Sequence, residues 1–336
     1  MKKSIVHIGF FILVILLTAG ALQNPFTLSY IDAIRSTQAE AVSSKDHTLM
    51  NQISEKAKEY HIPASDARVD RVWKAVPGYK GVEVDVEKSY DKMEELGQFD
   101  EKKLVFKEIE PSVHLEDLPP SPIFRGHEQK QMVSLLVNVA WGNEYIPELL
   151  KTMKRHEVEA TFFLDGSWVN NNSKIAQMIY EEGHEIGSHA YTHPDMQRIS
   201  RAEIKSELEK TNDVINATLG VTPMWFAPPS GSFTDDVVKE AANQGMYTIL
   251  WSVDTVDWRK PNPQEMVQRV VGKLHPGATI LMHPTDSTAR GLEQLIKEIK
   301  EQGYQIGTVS DLMAETRTGF PGPSDTSREA EVDTEN

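Results

Sequence analysis

The hydrophobic pattern of this chain changes texture near residue 130. From Lys130 to about Met313, short apolar runs alternate with stretches whose apolar residues recur every three or four positions. The runs predict strands over 133–139, 160–164, 185–188, 224–227, 247–253, 279–282 and 305–307. The stretches between them predict helices over 146–155, 173–182, 201–218, 234–243, 263–273 and 291–302. Local helix signals agree with the spacing. Ser200 with Glu203 has the form of a capping box, and Asn262-Pro263 places proline at a first helical position. Seven strands alternating with helices predict an α/β fold with parallel strands, either a right-handed barrel or an open doubly wound sheet.

Before residue 130 the pattern predicts a small α+β module over 48–116. Leu49, Ile53, Ala57 and Tyr60 fall at helical spacing, and Val82, Val84 and Val86 alternate with Glu83, Asp85 and Glu87 as a strand with one buried face would. A short helix over 89–95 and a strand over 103–109 complete it. No catalytic constellation is visible in this module, so a binding or packing role is expected. Residues 23–42 read as a spacer, and Pro111, Pro119, Pro120 and Pro122 mark the lead-in to the domain at 130–313. The acidic stretch 315–336, with Gly319, Pro321, Gly322 and Pro323, reads as a disordered tail.

The first 22 residues change the picture of where the protein works. Lys2-Lys3 precede an apolar run that ends in Ala19-Gly20-Ala21. A basic start, an apolar middle and a small-x-small site describe a secretory signal. The same run is just long enough to stay in the bilayer as an anchor. The expectation is an exported, extracytoplasmic protein, released by cleavage or attached to the membrane by this segment.

Charge and composition then exclude several classes. The formal net charge of −15 argues against a nucleic-acid partner, because phosphate contacts need a basic face. The chain of 336 residues has no cysteine, so disulfides and thiolate catalysis are excluded and any metal ligand is a histidine or a carboxylate.

The candidate chemistry centres on Glu182-Gly183-His184-Glu185-Ile186-Gly187-Ser188-His189-Ala190-Tyr191-Thr192-His193-Pro194-Asp195. If 190–193 form one helical turn, His189 and His193 share a face. Two imidazoles so placed can hold a zinc-like ion when a third ligand arrives from elsewhere, or can both be hydrogen-bonded loop residues. Parallel α/β folds place chemistry at the C-terminal ends of their strands. Those positions carry Ala140-Trp141, Asp165, His189 and His193, Ala227-Pro228-Pro229, Asp254 and Asp257-Trp258, and His283.

This ordered set resembles the polysaccharide deacetylases, the NodB-homology carbohydrate esterases, over about 131–313. The motifs that carry the resemblance are Ala160-Thr161-Phe162-Phe163, Glu185 through His193, Trp251 through Trp258, and Ile280-Leu281-Met282-His283. The resemblance implies a distorted (β/α)7 barrel, here preceded by the extra N-terminal module, as in exported homologues of spore-forming bacteria. It implies metal-dependent removal of acetyl groups from an N-acetylated polysaccharide such as peptidoglycan. His189 and His193 match the metal histidines and His283 the general acid. Asp254 or Asp257 would orient the ring of His283. Trp258 and Pro229 would wall the substrate pocket.

The match breaks at the first strand. Where the family has Thr-Phe-Asp-Asp-Gly, this chain has Asn138-Val139-Ala140-Trp141-Gly142. Ala140 stands in place of the base and Trp141 in place of the carboxylate ligand. Ala227 stands where the family has the arginine that orients the base. Loss of a general base alone costs about 10²–10⁴-fold in rate. Asp165, at the end of the neighbouring strand, is the candidate substitute ligand or base; capping the following turn is its other reading. Two readings follow: a deacetylase with lost or weakened activity, or an inactive glycan-binding or scaffold protein in envelope or spore assembly.

Overall fold

The computed structural model describes residues 24–318, together with Phe11 and Thr18. The leader expected over 1–22, those two positions apart, and the tail beyond 318 lie outside the described residues. Among the described residues no helix is long and apolar enough to cross a membrane.

The continuous described stretch opens with helix α1 (Pro25–Ala57), whose first turn is closed by Asn24 accepting the Phe26 amide. Of the stretch expected as a spacer over 23–42, residues 25–42 are helical backbone. Strands β1 (Arg68–Asp70) and β2 (Lys74–Val76) follow as an antiparallel pair, then β3 (Gly81–Val84), helix α2 (Val86–Met93) and β4 (Phe106–Ile109). These elements divide between two compact units. The described residues up to Ile62, with Val82–Glu108, form a small unit; Pro63–Gly81 and residues 109–318 form the larger one.

The module expected as one piece over 48–116 is thus split. Residues 63–81 and 109–116 belong with the larger unit for visible reasons. Asp66 accepts the amides of Ser112 and Val113, Tyr79 stacks on His127 at 4.8 Å, and Ala75 donates to Pro122. The apolar spacing runs on past Pro63 and hides this boundary. In the small unit, Leu49, Ile53, Val84, Met93 and Leu104 make a core of their own. Their burial accounts for the helical and alternating periods read there.

The larger unit is built on a parallel sheet. Its strands are β5 (Met132–Val139), β6 (Thr161–Leu164), β7 (Glu185–Ser188), β8 (Trp225–Phe226), β9 (Tyr247–Thr248), β10 (Val253–Asp254) and β11 (Thr279–Met282). The spatial order is β10-β11-β5-β6-β7-β8-β9, with β12 (Gln305–Gly307) pairing the start of β5. The order is that of a seven-stranded barrel whose two ends, β9 and β10, are joined by chain rather than by a ladder. The strand expected over 247–253 breaks there: Ile249 bonds back to Phe226 while Ser252 bonds to Thr279. This is the distorted (β/α)7 barrel.

Helices α3 (Ile146–Arg155), α4 (Gly166–Asn171), α5 (Ser173–Glu181), α6 (Arg201–Leu219), α7 (Asp235–Asn243), α8 (Pro263–Val271), α9 (Asp286–Glu301) and α10 (Val309–Met313) follow their strands. Ser200 and Glu203 form the capping box at the start of α6. Helix α9 begins five residues earlier than the expected 291 because Thr285 caps it, accepting the Thr288 amide.

The two faces of each strand do different work. Along β5, Val133, Leu135, Val137 and Val139 point outward into the core shared with the helices. Leu136 points inward with Phe163, Trp225, Ala227 and Ile249, filling the barrel. Gly187 sits on that inner layer, where a Cβ would collide with the Phe163 ring. By the two-residue period, the next inward layer is Asn138 and Ala140, His189, Asp254, and Leu281 with His283. The fold gathers the candidate chemistry at one mouth.

Candidate functional site

That inward layer lines a cleft of about 460 Å³, with Asn138, Ala140, Trp141, His189, His193, Ser230, Trp251, Asp254, Trp258 and His283 on its walls. The volume falls within the range of about 300–1,000 Å³ found for small-ligand pockets.

His189 is buried, and its Nδ1 meets the Ala227 carbonyl at 2.7 Å. A carbonyl oxygen only accepts, so Nδ1 carries the proton and the lone pair is left on Nε2. Burial, with His193 close by, pushes the imidazole down to about 3, so the ring is neutral near pH 7. The His193 ring lies edge-on to it at 5.1 Å between centroids. Residues 190–192 are not helical, so the two histidines do not share a helix face. The rings meet because Ala190 and His193 both take left-handed backbone, with φ of 63° and 56°. Glu207 on α6 holds this loop, accepting the Tyr191 and Thr192 amides at 2.8 Å each and the Thr192 hydroxyl at 2.9 Å. Nothing in the sequence marks Glu207, one carboxylate among several on an amphipathic helix.

On the opposite wall, His283 is oriented by Asp257 and not by Asp254. Asp257 is fully buried. It accepts His283 Nδ1–H at 2.8 Å, the His283 amide at 2.6 Å and the Thr288 hydroxyl at 2.6 Å. The geometry fixes the ring tautomer and leaves Nε2 as its remaining polar atom. Asp254 lines the cleft, and its Oδ1 closes a turn by accepting the Val256 amide. Pro229 is buried, and the cleft wall at that point is Ser230, which adopts φ 54°.

Asp165 does not complete a metal site. Its Oδ1 accepts the Ser167 hydroxyl at 2.6 Å and the Trp168 amide at 2.8 Å, which makes it the N-cap of α4. Burial pushes its carboxyl up from the usual range. Among the described residues no group of three His, Asp or Glu side chains is placed to hold a metal ion. Two imidazoles fall short of the three protein ligands usual for catalytic zinc, so the donor set does not fit that ion. Beside the histidines stands an indole. Trp141 stacks on His283 with centroids 5.8 Å apart and planes within 8°.

Comparison with known proteins fits this geometry. The family model "Polysaccharide deacetylase" matches residues 125–249. The peptidoglycan-N-acetylmuramic acid deacetylase PdaA of Bacillus subtilis (strain 168) is 30% identical over 203 residues, 59% of this chain and 77% of that protein. The chain belongs to the polysaccharide deacetylase family. It is also 48% identical to YlxY of Bacillus subtilis (strain 168), an uncharacterized protein, over 94% of this chain and 99% of that one. A CE4 family pseudoenzyme from Bacillus anthracis has a TM-score of 0.75 and 52% identity, covering 80% of this chain and 96% of that one. A mutant of that pseudoenzyme is described as having restored enzymatic activity.

Proposed function

We propose that this polysaccharide deacetylase is an exported protein that binds N-acetylated wall or spore glycan, with its hydrolytic chemistry lost. The observation that carries the reading is the donor set at the histidine pair. His189 and His193 converge, yet among the described residues no third ligand completes a metal-holding group with them, and Trp141 lines the neighbouring wall. The family's usual route needs an ion to polarise the acetyl carbonyl, and these residues do not assemble its site. The similar Bacillus anthracis protein is a pseudoenzyme, which supports the same reading here.

One observation favours residual hydrolysis as the second reading. The Asp257–His283 pair is intact, and such a pair can hand a proton to a leaving amine. The test is paired measurement of acetate release and saturable binding with N-acetylglucosamine oligomers. We expect binding without acetate above the buffer baseline, in the natural chain and in His193→Ala alike. Acetate release by the natural chain that disappears in His193→Ala would overturn the reading.

A further inference from the structure

At the end of the barrel away from the histidine mouth, the start of β9 borders a second cavity of about 310 Å³. One wall is the lead-in segment, with Glu116, Leu118, Pro120 and Ser121. The other is α7, with Val238 and Ala242, and the turn at Gly245 and Met246 that returns the chain to the sheet. All of these residues belong to the larger unit, and none of them lines the cleft.

Two polar points stand out on these mostly apolar walls. Thr248 lines the cavity at 1% exposure, and its hydroxyl has no hydrogen-bond partner. Thr248 pairs with Phe226 in register, so both side chains leave the sheet on the face that packs against α7. A buried hydroxyl left unpaired is costly unless a ligand meets it. The other point is Glu116, the only formally charged residue on the walls. It lies close enough to Tyr247 for its charge, after burial, to help raise that phenol above its ordinary range. Consecutive side chains on a strand face opposite ways, so Glu116 beside Tyr247 and the Thr248 hydroxyl are separate points. The last turn of α7 adds the negative end of a helix dipole.

We propose that this cavity binds a small protonated amine that carries a second polar group at the far end of a short apolar stem. Glu116 holds the ammonium, the stem lies against Leu118, Val238, Ala242 and Met246, and Thr248 hydrogen-bonds the second group. A cation suits the site because the one full charge on its walls is negative and the α7 carbonyls add to it. The size suits a short stem, since the volume is at the lower end of the range of about 300–1,000 Å³ for small-ligand pockets. The site shares no lining residue with the cleft, so it stands or falls separately from glycan binding.

The test follows the amide resonances of the full chain as n-pentylammonium, aminopentanol (amine and hydroxyl at opposite ends) or neutral pentanol is added. We expect shifts at Gly245, Met246 and Thr248, none at His189 or His283, and the tightest binding from aminopentanol. Glu116→Gln should weaken both amines by about tenfold and leave pentanol unchanged. Thr248→Val keeps the side chain's shape without its hydroxyl. It should leave aminopentanol no tighter than pentylammonium, and should not lower the melting temperature of the chain without ligand. Ala242→Leu fills the cavity from a half-buried helix position and should abolish binding of both amines. Pentanol binding as tightly as the amines would overturn the proposal. So would amine affinity that survives Glu116→Gln, or the absence of any shift at Thr248. Aminopentanol no tighter than pentylammonium in the natural chain, or a preference that persists in Thr248→Val, would overturn the role given to the hydroxyl.

Discussion

His189 shows how burial decides the chemistry of a single residue. Its ring is sealed under the Ala227 carbonyl and holds no positive charge until the pH approaches 3. His184, four positions before β7 ends, is likewise buried and pushed down to about 4, its Nδ1 accepting the Ala160 amide at 3.2 Å. Both rings bind fewer protons folded than unfolded once the pH drops below their ordinary 6.5. Stability is therefore full above that value and falls on acidification, by up to about 1.4 kcal/mol per pH unit for each ring. His184→Phe should lower stability near pH 7, because the Ala160 amide loses its acceptor, yet flatten the urea midpoint against pH between about 6.5 and 4. A slope as steep as that of the natural chain would contradict the assignment. Residue identities made this part of the site legible: His189, His193, Asp257 and His283 stand out by type and spacing. The choice between Asp254 and Asp257 was not legible, because both follow the same strand and only the fold shows which one reaches His283.

At the scale of elements, the histidine loop stands on a carboxylate from another part of the chain. Two non-glycine residues in left-handed backbone, Ala190 and His193, each carry a conformational cost of about 1–3 kcal/mol. The three hydrogen bonds to Glu207 offset it. Glu207→Ala should destabilise the chain by about 1.5–3 kcal/mol and speed hydrogen exchange at the Tyr191 and Thr192 amides. Glu207→Gln, which keeps one acceptor oxygen, should fall between. Melting and exchange unchanged in Glu207→Ala would contradict this role. Whether this stretch is a helical turn or a loop was left open by the sequence, because a four-residue histidine spacing fits both. Strands such as β5 were legible from continuous apolar runs, since both their faces are buried. The break at 249–252 was not, because the residues there remain apolar while the ladder changes partner.

For the whole molecule, the barrel and its mouth could be read from the alternation of strands and helices, but the division into units could not. Residues 63–81 and 109–116 are part of the larger unit, held there by ring stacking and backbone bonds that no periodicity announces. The first residues of the stretch expected as a loose tail from 315 are tied to the larger unit. Glu315 meets His114 at 2.7 Å, raising that imidazole above its usual range, and Arg317 bonds the Lys80 carbonyl at 2.6 Å. The assembled picture is a deacetylase-family barrel whose mouth keeps two histidines and an oriented third, with no three-ligand metal group among the described residues. Metal content after exhaustive dialysis, read as zinc per chain by mass spectrometry, tests that picture most directly. The account predicts far less than one zinc per chain. One tightly held zinc per natural chain, lost in His193→Ala, would contradict it.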